Sequence, residues 1–499
     1  MNAMDAAPTP ASAPVHLQLA LVSHTNSGKT TLARTLIGMD VGEVRDAAHV
    51  TQFAEAHTLL ASAAGDTLAL WDTPGFGDSV RLLRRLAQAG NPIGWFLREV
   101  VDRYRDRTFW LSQHALRTAR DNADVVLYLV NSAEHPRDAG YLPAEMDILA
   151  WLDKPVLVLL NQMGPPRRTA DEAAEQARWQ QHLARYPHVR EVLALDAFAR
   201  CWVHERVFYE AVGRQLAPAS QDGYARLFAA WQARNAERFA QAMAITARQL
   251  LAAAQDSEAL APQKKSLLRA TMHAVGLRKF AGDGQDKAMA ALLARLNAQT
   301  AEATAGLLAL HGLDPGEAAT INTRVRRNFA IRAPLDQTQA GLIGALISGA
   351  ATGLSADLLA GGLTLGGGAL IGGVVGALTF AGAAWGFNAS TERDHPSVQF
   401  ADEFLRSLLV AAMLRYLAVA HFGRGRGNFV DGEAPVFWQH EVERAVALHA
   451  DAADHAWREV RTEADTSAAL AQLDDLVSAI AAHTLAQLYP STPLFHERV

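Results

Sequence analysis

Hydrophobic residues in the first part of the chain fall into short unbroken runs separated by polar stretches with helical spacing. His16 to Val22 is a short apolar run, and Asp124 to Val130 (DVVLYLV) and Pro155 to Leu160 (PVLVLL) are continuous ones. Such runs suit parallel strands buried on both faces. His57 to Ser62 and Thr67 to Trp71 read as a strand pair about the Gly65 turn, and Glu191 to Leu195 is a sixth strand candidate. Helices are predicted over Lys29 to Ile37, near Glu145, and over Asp171 to Arg185 and Val203 to Leu216. Strands alternating with helices predict an α/β, doubly wound, mostly parallel sheet over residues 15–217. Val80 to Asn122, between the third and fourth strands, is longer than a minimal connection and holds Trp95, Phe96, Tyr104, Phe109 and Trp110. It reads as a helical insert, residues 80–122.

The pattern changes after Ala217. Residues 218–335 read as Ala-rich charged helices ending in a basic stretch with Arg324, Arg326, Arg327 and Arg332. Between Gln337 and Thr391 the single charged residue is Asp357. This segment (336–391) repeats the GxxxG spacing, at Gly349/Gly353, Gly362/Gly366, Gly368/Gly372, Gly372/Gly376 and Gly382/Gly386. Two apolar spans, Ala340 to Ala356 and Leu363 to Phe387, would form a hairpin turning at Asp357 and Gly361-Gly362. Small residues at this spacing let helices approach closely in a bilayer, and the upstream arginines suit the cytoplasmic side. Glycine and alanine insert weakly and the first span is at the short limit, so a buried hairpin in a helical domain stays open as the second reading. Charged helices resume over 392–499, and Phe400 to His421 is expected to be a packed amphipathic helix. The C-terminal region is thus expected to be all-α around a Gly/Ala-rich hydrophobic hairpin.

Composition narrows the classes. In 499 residues the formal charge is −6 and no basic block stands out, which argues against a nucleic-acid partner. One cysteine, Cys201, excludes a disulfide framework or a Cys-rich metal site and fits a reducing compartment. Residues 1–14 are rich in Ala and Pro, lack a signal-peptide pattern, and read as a disordered tail.

The chemistry concentrates where the first strand ends. LQLALVS runs into Ser23-His24-Thr25-Asn26-Ser27-Gly28-Lys29-Thr30-Thr31, and a helix follows. A strand–loop–helix of this kind presents successive amides and a helix N-terminus to a phosphate. Ser27, Gly28 and Thr31 belong to this cradle; Lys29 would reach the β- and γ-phosphates and the Thr30 hydroxyl would ligate Mg²⁺. Ser23 stands where the usual pattern has its first glycine. The third strand runs into Asp72-Thr73-Pro74-Gly75, where a carboxylate can hold Mg²⁺ through water and the Gly75 amide can sense the γ-phosphate. In this setting the 80–122 insert has two readings, a cover for the sheet edge or a nucleotide-responsive switch or partner surface.

NSGKTTL (Asn26 to Leu32) and DTPG (Asp72 to Gly75) resemble the Era-like branch of the P-loop GTPases, including the G domain of the ferrous-iron transporter FeoB, over roughly residues 15–216. The resemblance implies GTP and Mg²⁺ as ligands. It gives Thr51, 22 residues after Lys29 and 21 before Asp72, the role of the first-switch threonine that ligates Mg²⁺ and contacts the γ-phosphate. It also makes Asn26 a candidate K⁺ ligand. Phe76 stands where some GTPases carry a catalytic glutamine, so slow hydrolysis is expected unless K⁺, a homodimer partner or another protein completes the site. The guanine-reading Asn-Lys-x-Asp motif is reduced to Asn161-Gln162-Met163-Gly164. Asn161 is kept and the discriminating carboxylate is gone. Asp196 is a candidate replacement, with the Ala197 amide meeting the guanine carbonyl; GTP is favoured over ATP on the order of motifs. As a whole the chain looks like bacterial Era-like GTPases fused to a C-terminal helical domain of unknown function. The expected role is a membrane-associated switch on the cytoplasmic face of the inner membrane. A nucleotide-binding scaffold with little turnover, a dynamin-like remodeller and an ATPase are the other readings.

Overall fold

A computed structural model describes residues 13–24, 27–37, 55–73, 75–87, 106–163, 169–195, 201–259, 283–313, 385–388, 397–421, 436–462 and 466–490. The chain divides into two compact units, Met1–Glu237 with His421–Gly432, and Arg238–Ala420 with Glu433–Val499.

The first unit is built on the strands β1 (His16–Ser23), β2 (Glu55–Ala61), β3 (Thr67–Asp72), β4 (Val125–Asn131), β5 (Val156–Asn161) and β6 (Val189–Ala194). They form one sheet in the order β2-β3-β1-β4-β5-β6. All neighbours are parallel except β2, which runs antiparallel to β3 at the edge. Every residue of β5, and β4 up to Val130, is buried, so the unbroken apolar runs mark strands covered on both faces. The helices are α1 (Lys29–Ile37), α2 (Ser79–Ala87), α3 (Arg107–Asn122), α4 (Leu142–Leu152), α5 (Thr169–Leu183) and α6 (Trp202–Gln215). Strand β1 sits between β3 and β4, so chain order runs to opposite sides of it. Its carboxyl end therefore opens into the crevice where doubly wound sheets bind ligands. Register brings Leu21 opposite Asp72, Ser23 opposite Leu129, and Asn131 opposite Asn161, which gathers the motif residues at that edge.

The long helix α7 (Gln221–Gln255) belongs to the first unit up to Glu237. The second unit continues it and adds β7 (Ser257–Ala259), α8 (Asp283–Leu310), β8 (Trp385–Asn388), β9 (Ser397–Phe400), α9 (Asp402–Ala420), α10 (Val436–Leu448), α11 (Ala450–Thr462) and α12 (Thr466–Leu488). Leu292, Leu296, Phe404, Leu409, Trp457, Leu473 and Ile480 are among its buried residues. The helical C-terminal region is as expected, with two corrections. Strands β7, β9 and β8 form a small antiparallel sheet where only helices were anticipated. The end of the second apolar span, Trp385 to Phe387, is strand and not helix. Helix α9 is packed as expected, burying Phe404, Leu405, Leu408 and Leu409 while Glu403 is exposed and Asp402 and Arg406 are partly so; from Ala412 onward it is buried almost all round, Arg415 included. No helix among the described residues is long and apolar enough to cross a membrane. The remainder of the predicted hairpin lies outside those residues, as do Asn26, Thr51, Pro74, Gly164, Asp196, Ala197 and the aromatic residues Trp95, Phe96 and Tyr104.

Candidate functional site

At the carboxyl end of β1 the loop returns sharply into α1. Gly28 takes φ +90°, in the left-handed region that favours glycine. A Cβ there would stand 2.6 Å from Asn161 Nδ2. That Nδ2 donates a buried hydrogen bond of 3.0 Å to the Ser27 carbonyl, so the asparagine kept from the reduced motif holds the loop in shape. Gln162, next in the chain, is itself left-handed at φ +59°, a conformation uncommon for a residue other than glycine.

Lys29 and Thr30 open α1. The Thr30 hydroxyl donates to Asp72 Oδ2 at 3.0 Å. Burial pushes the Lys29 ammonium down from its usual range, opposed by the negative fields of Asp72 and then Glu145. A hydroxyl and a carboxylate in contact beside a desolvated lysine are the donor set that a hard divalent cation with phosphate oxygens requires. The residues therefore fit Mg²⁺ with a nucleoside triphosphate.

The DTPG loop is tied to the same strand. The Thr73 hydroxyl donates to the Leu21 carbonyl at 2.8 Å, and the Phe76 amide donates to the Ser23 carbonyl at 3.0 Å. Phe76 is buried, with its ring centroid 6.3 Å from that of Tyr128. It turns into the core, so its side chain positions no water.

Sequence reasoning missed a polar network behind the loop. His24 Nδ1 donates to Glu145 Oε1 at 2.7 Å, and the Tyr128 hydroxyl donates to Glu145 Oε2 at 2.5 Å. The His24 ring stacks on Tyr141, centroids 4.0 Å apart, and the hydroxyls of Ser23 and Ser27 donate to the His24 carbonyl at 2.7 and 2.9 Å. Burial pushes the Glu145 carboxyl up, opposed by its hydrogen bonds to His24 and Tyr128. The available signal was a carboxylate on the apolar stripe of α4, three residues after Leu142 and four before Leu149.

Of the predicted site residues, Ser27, Gly28, Lys29, Thr30 and Thr31 lie on the loop and α1, Asp72 and Asn161 on neighbouring strand ends, and Gly75 in the loop after β3. Among the described residues no group of three or more His, Cys, Asp or Glu is placed to hold a metal ion by itself.

Residues 18–162 match the family described as 50S ribosome-binding GTPase. Residues 180–483 match the family described as a domain of unknown function, DUF3482. No curated protein matches the chain. Among solved structures it is similar to a variant of Era from Aquifex aeolicus bound to GDP·AlF4⁻ (19% identity over 41% of this chain and 57% of that one, TM-score 0.30). It is also similar to Era in complex with MgGDPNP and a 16S ribosomal RNA fragment (19% identity over 41% and 58%, TM-score 0.29). An oligomerised bacterial dynamin pair aligns at 9% identity over 95% of this chain and 69% of that one, with a TM-score of 0.23. The chain thus spans under three fifths of the length of the Era chains it matches. The N-terminal domain is a P-loop GTPase domain, and the chain, matched over more than half its length, belongs to the DUF3482 family.

Proposed function

We propose that the N-terminal domain binds GTP with Mg²⁺ and hydrolyses it slowly, and that this cycle switches the helical region between two states. The observation that carries the reading is the Thr30–Asp72 contact beside the buried Lys29, in a loop locked by Asn161. Lys29 would hold the β- and γ-phosphates, and the amides from Ser27 to Thr31 would line them. Thr30 and Asp72 would hold the cation, directly and through water, and Mg²⁺ when bound supplies charge neutralisation between the phosphates. Thr51 is the proposed first-switch ligand, Gly75 the γ-phosphate sensor, and Asn26 a K⁺ ligand. Asp196 and Ala197 are the proposed guanine contacts.

The division of labour proposed is residues 15–217 for nucleotide and the remainder for output. Segment 337–391 would dock the protein on the inner membrane from the cytoplasm, and a homodimer would complete the site. The formal charge of −6 speaks against a nucleic-acid partner. Burial of Phe76 favours a second reading, a nucleotide-binding scaffold with little turnover.

The test is a titration of the full chain with fluorescent GTP and ATP analogues and Mg²⁺, in K⁺ and then Na⁺ buffer, with turnover measured alongside. Tighter GTP binding with turnover stimulated by K⁺ is expected. Lys29→Ala should weaken binding at least about 100-fold, as befits loss of a desolvated charge contact. Equal or tighter ATP binding would sink the guanine reading, and an unaffected Lys29→Ala variant would sink the phosphate site itself. Binding without turnover would select the scaffold.

A further inference from the structure

The peptide that follows Gly75 is held at both ends. Its N–H, on Phe76, donates to the Ser23 carbonyl at the end of β1. Its C=O, on Gly75, accepts a buried hydrogen bond of 3.0 Å from the Ser112 hydroxyl on α3. With that plane fixed, the freedom left to the loop is rotation about the two backbone bonds of Gly75. Glycine is the residue with the widest choice there. The Gly75 amide lies on the far side of those bonds and is the group proposed to meet the γ-phosphate.

Helix α3 is also clasped to α2, the helix that follows this loop. Arg81 on α2 pairs with Asp106 at 2.6 Å, and its guanidinium lies 4.0 Å from the Phe109 ring centroid. Asp106 also caps α3, accepting from the Phe109 amide at 3.1 Å. The helix that the sequence presents as a surplus insert is therefore attached to the last residue of the DTPG turn and to the helix that follows it.

We propose that Ser112 is a positioning residue for triphosphate recognition. Its hydroxyl fixes the Gly75–Phe76 peptide so that the Gly75 amide turns toward a γ-phosphate, and α3 receives the resulting movement. The inference rests on the nucleotide reading above and adds to it the residue that separates GTP from GDP. Ser112 acts on the Gly75 carbonyl and not on the amide proposed to meet the phosphate, so its effect is confined to the state in which that amide is engaged.

The experiment measures affinity of the full-length wild type, Ser112→Ala and Ser112→Thr for GDP and for a non-hydrolysable GTP analogue, with Mg²⁺. Loss of one buried hydrogen bond predicts about a tenfold weaker analogue for Ser112→Ala, with GDP affinity within about twofold of wild type and recovery in Ser112→Thr. Equal losses for both nucleotides, or no loss, overturn the proposal while leaving nucleotide binding intact. A wild type that binds neither nucleotide overturns the functional reading and this one together. Should Ser112→Ala fail to fold, amide hydrogen exchange of wild-type residues 107–122 decides. Slower exchange with the analogue than with GDP is expected, and identical exchange refutes the coupling.

Discussion

Glu145 carries more of the site than its place on a helix suggests. Its carboxylate has no solvent exposure and serves two donors, His24 and Tyr128. Buried polar groups are tolerated when every member is satisfied and become costly when one is removed. Glu145→Gln keeps an acceptor for Tyr128 and a polar group for His24, so nucleotide affinity should stay within about threefold of wild type. Glu145→Leu strands both partners. It should lower unfolding free energy by about 2–3 kcal/mol and weaken nucleotide binding as the His24 anchor is lost. Chemical denaturation of the two variants, with nucleotide titration of each, checks this. A leucine variant as stable as wild type would show that the network does not hold the loop.

Among elements, the β2–β3 turn acts as a clasp. Asp66 follows Gly65 and is fully buried. Its carboxylate accepts from Arg226 of α7 at 2.6 and 2.8 Å, from the Ser62 hydroxyl at 2.5 Å, and from the Val15 amide at 3.0 Å. The hydrogen bond from Arg226 holds this carboxyl well below the usual carboxylate range against the opposing effect of burial, with help from Ser62, Val15 and the charge of Arg226. A folded-state pKa below the unfolded value of about 3.9 gives stability that is present above that pH and is lost as pH falls below it. Asp66→Asn should therefore melt several degrees lower at pH 7, and the gap should narrow steadily as the pH falls below about 5, closing only as the depressed folded-state value is passed. Thermal melts across that range test it. A gap that stays constant with pH would assign the loss to packing instead of charge.

At the scale of the whole molecule, the second unit hides a cation. Arg415 of α9 is 1% exposed and donates to Gln249 Oε1 at 2.7 Å, while Gln249 Nε2 donates to the Thr300 hydroxyl at 2.9 Å. Its Nε has no hydrogen-bond partner among the described residues, and burial lowers its pKa to about 10. Among the described residues no carboxylate pairs with it, and a buried charge without a counter-ion is destabilising. Gln249→Glu places a carboxylate at the existing contact and should raise the melting temperature by several degrees. Arg415→Met, which removes the charge and keeps most of the volume, should be neutral or stabilising. Lower melting temperatures in both variants would mean that the guanidinium is already neutralised.

The sequence by itself determined the α/β unit. Its central strands β4 and β5 are contiguous apolar runs, the edge strands shorter apolar stretches beside turns, and its helices local periodicities, so the elements are written in neighbouring residues. It also determined the phosphate loop, because Gly28, Lys29 and Thr30 act through the backbone of one turn. Only tertiary structure brought His24 to Glu145, 121 residues away, and Ser112 to Gly75, 37 residues away. No local pattern encodes which distant polar groups meet once the sheet closes. The same reason hid the β7-β9-β8 sheet, whose strands of three and four residues, drawn from positions 257, 385 and 397, are too short to show a period and exist through their pairing. The buried face given to Arg415 was likewise decided by packing: in the sequence it interrupts an apolar helix, and only the surrounding helices place it inside.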